Sequence, residues 1–268
     1  MKLLIAIPAR NESKHLLRVI DRISEFADDI LVVDDGSTDD TPALLGSRPH
    51  VRTIRHATNF GYGKSLVDAF DYASRHGFDW VLTMDADGQH EAADIPDFVR
   101  AIESDQFDLI SGSRYLAPRG DDDLPPPERR DINKRITTII NQTLHLNITD
   151  AFCGFKAHRT SKMIELALTE FGYAFPLQMW PRVKEHQLRL AELPVRRIYN
   201  DPNRTFGKQL DVAQERFKHY LDVYNTELTR MNLPAVEATL DSEPSACMSA
   251  KSKSKVQESS LPAHSYCS

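Results

Sequence analysis

Five short apolar runs punctuate the first 113 residues, and each stops abruptly at a polar cluster. "KLLIAIP" (2–8) runs into "ARNE", "DILVVDD" (29–35) into "GSTDD", and "HVRTIRH" (50–56) into "ATN". "FDWVLTMD" (78–85) runs into "ADGQH", and "FDLISGSR" (107–114) into "YLAP". Runs of this length bounded by turn residues are the pattern of buried strands. Between them the apolar residues recur near helical period, which predicts helices over 12–26, from Ser37 or Asp39 to Gly46, within 61–77, and over 93–103. Strands alternating with helices restrict the chain to βαβ units around a central sheet. The expected fold class is α/β: a mostly parallel sheet flanked by helices.

In open sheets of this kind ligands bind at the carboxyl ends of the strands. The polar clusters fall at those ends, which points to a shared site. The most telling is "VLTMDADGQH" (81–90). In extended chain, residues two apart project to the same side, so Asp85 and Asp87 converge. Two such carboxylates repel unless a cation or a proton lies between them. With the Gln89 amide they form an oxygen donor set suited to Mg²⁺ or Mn²⁺. An acidic turn bending at Gly88 is the plain alternative when the pair stands alone. At the second strand end Asp34 and Asp35 stand where a base or ribose would be read. The first offers the backbone of Pro8, Ala9 and Asn11, with Glu12 as an acceptor. No G-x-G-x-x-G follows either strand, and "GYGKS", which carries Lys64, is no P-loop. It reads either as a tight helix start or as a phosphate contact.

After Ser113 the rhythm changes. "APRGDDDLPPPERR" (117–130) is acidic and proline-rich, as a loop or flap would be. A helix over 130–146, a mixed region, a strand over 189–199 and an amphipathic helix over 209–228 are expected next. From 234 onward large apolar side chains almost vanish, so 234–268 is expected to be a disordered tail. The organisation is then one domain over 1–233, with halves 1–114 and 115–233. A net charge of −6 argues against nucleic-acid binding. No apolar run approaches the ~18 residues of a membrane helix, which suggests a cytoplasmic protein.

The motifs "IPARNE", "VVDDGSTDDT", "NFGYGKS", "MDADGQH", "SGSRY" and "TDAFCGFKAHR" resemble, in order, those of family 2 glycosyltransferases over about residues 1–215. The likeness is to the branch of dolichyl- or polyprenyl-phosphate mannosyl- and glucosyltransferases. It implies a GT-A fold whose first half holds a nucleoside-diphosphate sugar and whose second receives the acceptor. By this resemblance Pro8, Ala9, Arg10, Asn11, Glu12, Asp34, Asp35, Lys64, Asp85 and Ala86 would bind the donor. Asp85, Asp87 and Gln89 would hold Mg²⁺ or Mn²⁺. Arg114, Arg130 (in preference to Arg129), Arg204 and Lys208 would meet an acceptor phosphate. Asp87, Arg114 and Asp150 are the groups expected to carry catalysis, with Asp150 as the base if the acceptor is a hydroxyl.

The resemblance implies transfer of a hexose, with inversion, from GDP-mannose or UDP-glucose to a polyprenyl-phosphate lipid. The enzyme would work at the cytoplasmic face of a membrane, with a membrane-anchored partner or as a homo-oligomer. Two rival readings are a transferase acting on a glycan or small hydroxylated acceptor, and a catalytically silent nucleotide-sugar-binding subunit. The sequence departs from the family at Arg10, where many relatives carry tyrosine, and at Lys208, Gln209 and Gln178 in the acceptor half. Phe152 and Phe155 read as core rather than as sugar-stacking rings.

Overall fold

The structure, a computed structural model, describes residues 1–117, 122–199 and 208–240, and of Lys208 and Gln209 only the backbone. Its strands are β1 (Leu3–Ala9), β2 (Ile30–Asp34), β3 (Arg52–Arg55), β4 (Trp80–Thr83), β5 (Leu109–Ser113), β6 (Lys156–Arg159) and β7 (Leu190–Pro194). They form one sheet in the order β3-β2-β1-β4-β6-β5-β7. The helices are α1 (Leu16–Ile23), α2 (Thr41–Gly46), α3 (Tyr62–Arg75), α4 (Ile95–Glu103), α5 (Pro127–Leu144), α6 (Thr160–Glu165), α7 (Phe175–Glu185) and α8 (Ala213–Arg230).

Strands β1, β2 and β4 are apolar but for Asp34 and Thr83 at the ends of β2 and β4, because both faces of the sheet are covered. Ile5, Ile7, Val32 and Leu82 pack on one face with Leu16 and Ile20 of α1 and Phe98 of α4. The alternate residues Leu4, Ala6, Leu31 and Val81 face Phe70 of α3, Ile136 of α5, Trp180 of α7 and Tyr224 of α8. Phe98, Trp180 and Tyr224 are fully buried. Filling both faces at the level of such side chains is worth roughly 1.5–3 kcal/mol each.

One strand reverses the rest. β6 runs antiparallel to both neighbours, with Lys156 opposite Thr83 of β4 and opposite Ser111 of β5. Its four residues include a lysine and a histidine, both buried, so no apolar alternation announces it. It arises, with α6 and α7, from the region the sequence leaves mixed. Two expected boundaries also shift. α1 begins at Leu16, not at residue 12, because the Glu12 carbonyl closes a turn onto the His15 and Leu16 amides. α5 begins at Pro127, inside the expected flap, where a first-turn proline sacrifices no hydrogen bond.

The start of the expected tail is ordered onto the domain. The Val236 amide donates to Asn225 Oδ1 at 2.7 Å, and Asn225 Nδ2 donates back to the Val236 carbonyl at 3.0 Å. Val236 is buried against α8, and the remainder of the tail, 241–268, lies outside the described residues. Among the described residues no helix is long and apolar enough to cross a membrane.

Candidate active site

A cleft of about 470 Å³ opens at the carboxyl ends of β1, β2, β4 and β5. Because β6 is reversed, the loop entering it joins the same end of the sheet. Pro8, Ala9, Arg10, Glu12, Asp35, Asp85, Asp87, Gln89 and Arg114 all line this one space.

The first wall is stitched from two loops. Asn11 takes a left-handed conformation (φ 56°), which asparagine tolerates. Its side chain accepts the Thr38 amide at 2.8 Å, and its own amide donates to Ser37 Oγ at 2.9 Å. The Glu12 amide donates to Thr41 Oγ1 at 2.9 Å, and the Ser13 amide to Asp39 Oδ2 at 3.1 Å. Asp39 also accepts the Thr41 amide at 3.0 Å, supporting the first turn of α2. Burial works against its ionisation, yet the Thr41 and Ser13 donors hold its pKa down at about 2.

The adjacent Asp34 and Asp35 point opposite ways. Asp35 faces the cleft, its carboxylate accepting the Phe60 and Gly61 amides at 2.7 and 2.8 Å. His56 Nδ1 lies 2.7 Å from the same carboxylate, and its Nε2 lies 2.8 Å from Asp68. Asp34 is fully buried beneath, accepting the Ser37 amide at 2.9 Å, so it braces the loop instead of reading a ligand. Three more expected donor contacts fall outside the lining. Asn11 is spent on stitching, Ala86 is buried in the core, and Lys64 pairs with Asp68 along α3.

At the end of β4, Tyr62 donates to Asp85 Oδ1 at 3.1 Å, and the Asp85 amide donates to His90 Nδ1 at 3.2 Å. Burial lowers the His90 pKa, against the pull of Asp85 and Asp87, in keeping with a neutral ring that accepts at Nδ1. Asp87 is orientated by the Gln89 amide, 2.9 Å from its Oδ1, and the buried Gln89 Nε2 has no hydrogen-bond partner among the described residues. Gly154, in the loop entering β6 beside the end of β4, leaves room for the Asp85 carboxylate: a Cβ there would lie 2.6 Å from Asp85 Oδ2. Two carboxylates and an amide on one wall are hard oxygen donors and fit Mg²⁺ or Mn²⁺. Among the described residues no three His, Cys, Asp or Glu side chains converge, so the protein offers a partial shell. Magnesium-type ions are commonly bound in this way, with substrate phosphates and water completing the shell.

The opposite wall is cationic. Arg114, at the end of β5, donates to Asp150 through Nε at 2.7 Å and Nη2 at 3.0 Å. Asp150 is fully buried and also accepts from Asn133 Nδ2 at 2.8 Å. Burial pushes its pKa up, but Arg114 and Asn133 outweigh that and hold it at about 2. Asp150, the candidate base for a hydroxyl acceptor, is thus held as a carboxylate by two bonds from Arg114. Arg129, not Arg130, lines the cleft, which reverses the choice made from sequence. Arg204 lies outside the described residues, as does the Lys208 side chain.

Several lining residues had no sequence signal strong enough to single them out. Tyr62 stacks on Tyr173 at 5.9 Å, and Phe152 packs on Tyr220 at 5.0 Å. Phe155 is core, as expected, whereas Phe152 lines the cleft. The aromatic stripe of α8 (Phe217, Tyr220 and Tyr224) packs on the domain, and Tyr220 also reaches the cleft. Gly61 shows why "GYG" starts α3: with φ 109° and the Phe171 carbonyl 2.2 Å from where a Cβ would sit, only glycine fits.

The profile of glycosyl transferase family 2 matches residues 4–166. An undecaprenyl-phosphate mannosyltransferase of Micrococcus luteus is 31% identical over 204 residues, covering 73% of this chain and 83% of that protein. A polyprenol monophosphomannose synthase of Mycolicibacterium smegmatis is 29% identical, covering 72% of this chain and 76% of that protein. Among solved structures, glucosyl-3-phosphoglycerate synthase from Mycobacterium tuberculosis, in complex with Mn²⁺, uridine diphosphate and phosphoglyceric acid, superposes with a TM-score of 0.62 at 20% identity. That match spans 87% of this chain and 79% of the other, and it shows a shared fold. The chain belongs to glycosyl transferase family 2, is an enzyme that uses a nucleotide sugar, and resembles the polyprenyl-phosphate branch of that family.

Proposed function

We propose that the protein is a metal-dependent, inverting hexosyltransferase that moves the sugar of GDP-mannose or UDP-glucose to a polyprenyl or dolichyl phosphate. The observation that carries this reading is the locked Arg114–Asp150 pair. A hydroxyl acceptor needs a base, and the one buried carboxylate expected to supply it is committed to Arg114 with a pKa of about 2. A phosphate acceptor arrives already anionic and needs cationic positioning instead, which arginine provides through paired planar donors.

In this reading Pro8, Ala9, Arg10, Glu12 and Asp35 hold the nucleoside. Asp85, Asp87 and Gln89 hold Mg²⁺ or Mn²⁺, which would stabilise the charge that develops on the departing diphosphate. Arg114 and Arg129 orient the acceptor phosphate for in-line attack. An oxygen of that phosphate forms the new bond to the anomeric carbon as the carbon–oxygen bond to the nucleoside diphosphate breaks, and both bonding electrons leave with the diphosphate. Tyr62, Phe152, Tyr173 and Tyr220 exclude water. The enzyme would meet its lipid as a peripheral protein at the cytoplasmic face, with a membrane-anchored partner or as a homo-oligomer. The names of the bacterial relatives support the acceptor and favour mannose.

The test is incubation with radiolabelled GDP-mannose or UDP-glucose, polyprenyl phosphate and Mn²⁺, followed by lipid extraction. Label is expected in the organic phase. Label transferred only to a water-soluble glycan would refute the lipid acceptor, and tight donor binding without turnover on any acceptor would favour the silent-subunit alternative.

A further inference from the structure

Lys156 opens β6 at the seam of the cleft. It stands opposite Thr83, two residues short of Asp85, and opposite Ser111, three short of Arg114. It lines the cavity at only 4% exposure. Among the described residues its ammonium has one hydrogen-bond acceptor, the Cys153 carbonyl, and the face of the Trp180 ring 5.6 Å away. An ammonium has three donors, and a buried charge without a counter-ion is unfavourable. The groups facing it are His158 two residues along β6, Arg114 at the end of β5, Asp150 and Cys153 in the loop entering β6, Glu192 on β7, and His90 beyond β4. Asp150, the nearest strong anion, is already bound by Arg114 through two nitrogens. Burial accordingly lowers the Lys156 pKa.

We propose that Lys156 pairs with a phosphate oxygen of the ligand where the donor and acceptor halves of the cleft meet. The inference rests on the phosphate-transfer reading above. The phosphate has two possible sources, the donor's diphosphate and the acceptor's monophosphate, and they share the chemistry that Lys156 answers. The described residues supply this ammonium with a carbonyl but no carboxylate of its own, so its charge is completed by the ligand.

Wild type, K156M and K156R are each titrated with GDP or UDP and, separately, with a short-chain polyprenyl monophosphate. Calorimetry in buffers of different ionisation enthalpy, from neutral to alkaline pH, reads affinity and proton uptake together. K156M is expected to weaken one ligand at least roughly tenfold, the loss of a charge-assisted contact. The affected arm identifies the phosphate. Wild type should take up a proton on binding that ligand, and K156R, charged at all these pH values, should bind it without that uptake. Unchanged affinity for both ligands in K156M, or equal uptake in wild type and K156R, overturns the assignment. Should K156M not fold, the comparison of wild type with K156R decides. If wild type itself binds no monophosphate, the lipid-phosphate acceptor fails, and the diphosphate arm judges Lys156 independently.

Discussion

Replacing Gly154 with alanine tests the Asp85 site without substituting a proposed ligand. The new methyl would meet Asp85 Oδ2 at 2.6 Å, Oδ1 at 2.8 Å and Cγ at 2.9 Å, so the whole carboxylate must retreat by about 0.8 Å to reach ordinary contact at 3.4 Å. It has little freedom to do so, since Tyr62 bonds Oδ1 at 3.1 Å and His90 Nδ1 holds the Asp85 amide at 3.2 Å. A misplacement near 1 Å in a reacting site costs on the order of 10²-fold in rate. Gly154 does not sit at positive φ, so alanine adds no backbone strain, and the cost in stability is that of displacing Asp85, about 1–3 kcal/mol. The assay is transfer rate against Mn²⁺ concentration, with thermal unfolding as the control. Transfer should fall by roughly two orders of magnitude at fixed Mn²⁺, with partial recovery at high Mn²⁺ and only a modest drop in Tm, the protein staying folded at the assay temperature. A folded G154A enzyme with wild-type rate and wild-type metal dependence would refute the placement of Asp85 at the reacting centre.

Three further outcomes are expected. Asp87→Ala should abolish metal-dependent transfer while leaving the melting curve intact, and unchanged activity in chelator-treated buffer would remove Asp87 from the metal site. Asp150→Asn should destabilise the fold by roughly 2–3 kcal/mol, because it strips the half-buried Arg114 of its counter-ion. The folded pKa of Asp150 is depressed from 3.8 to about 2, so its contribution, roughly 2 kcal/mol, is complete above 3.8 and lost as pH falls towards 2. Denaturant titrations should show a shallower acid limb in the Asn variant, and identical limbs would contradict this. Asn225→Ala should cost about 1–2 kcal/mol by orphaning both backbone groups of Val236, a loss read as a lower urea midpoint, whereas no shift would mean that segment adds nothing.

The parallel strands were legible because burial on both faces writes itself as unbroken apolar runs, and the site followed from where those runs end. β6 was illegible for the opposite reason: Lys156 and His158 are buried polar residues, and polar composition does not announce a strand. Asp34 and Asp35 were equally plausible as ligand contacts, since neighbouring residues project to opposite sides and only the register of β2 decides between them. The same ambiguity separated Arg129 from Arg130 on a helix whose phase a proline-rich lead-in concealed. Asp150 looked free to act as a base because its partner, Arg114, lies 36 residues earlier in the chain. The role of Gly154 was not legible, because a glycine needed for another residue's side chain leaves no local pattern.

The reversed strand has a consequence for how such enzymes diversify. The chain leaves the sheet after Ser113 and returns through Thr149, and these two hydroxyls lie 2.5 Å apart. The Gly112 amide meets the Phe155 carbonyl at 2.7 Å just below. The excursion between them, which carries Arg129 and α5, therefore begins and ends at one point, like a handle fastened to the vessel at a single boss. Its helix α5 is also built into the core, with Ile136 in the same cluster as Leu4 and Leu31 and Asn133 bonded to Asp150, so exchanging it between relatives requires that buried face to match as well as the junction. In the reading proposed above, acceptor contacts such as Arg129 can change only within a segment whose inner face the donor strands already dictate.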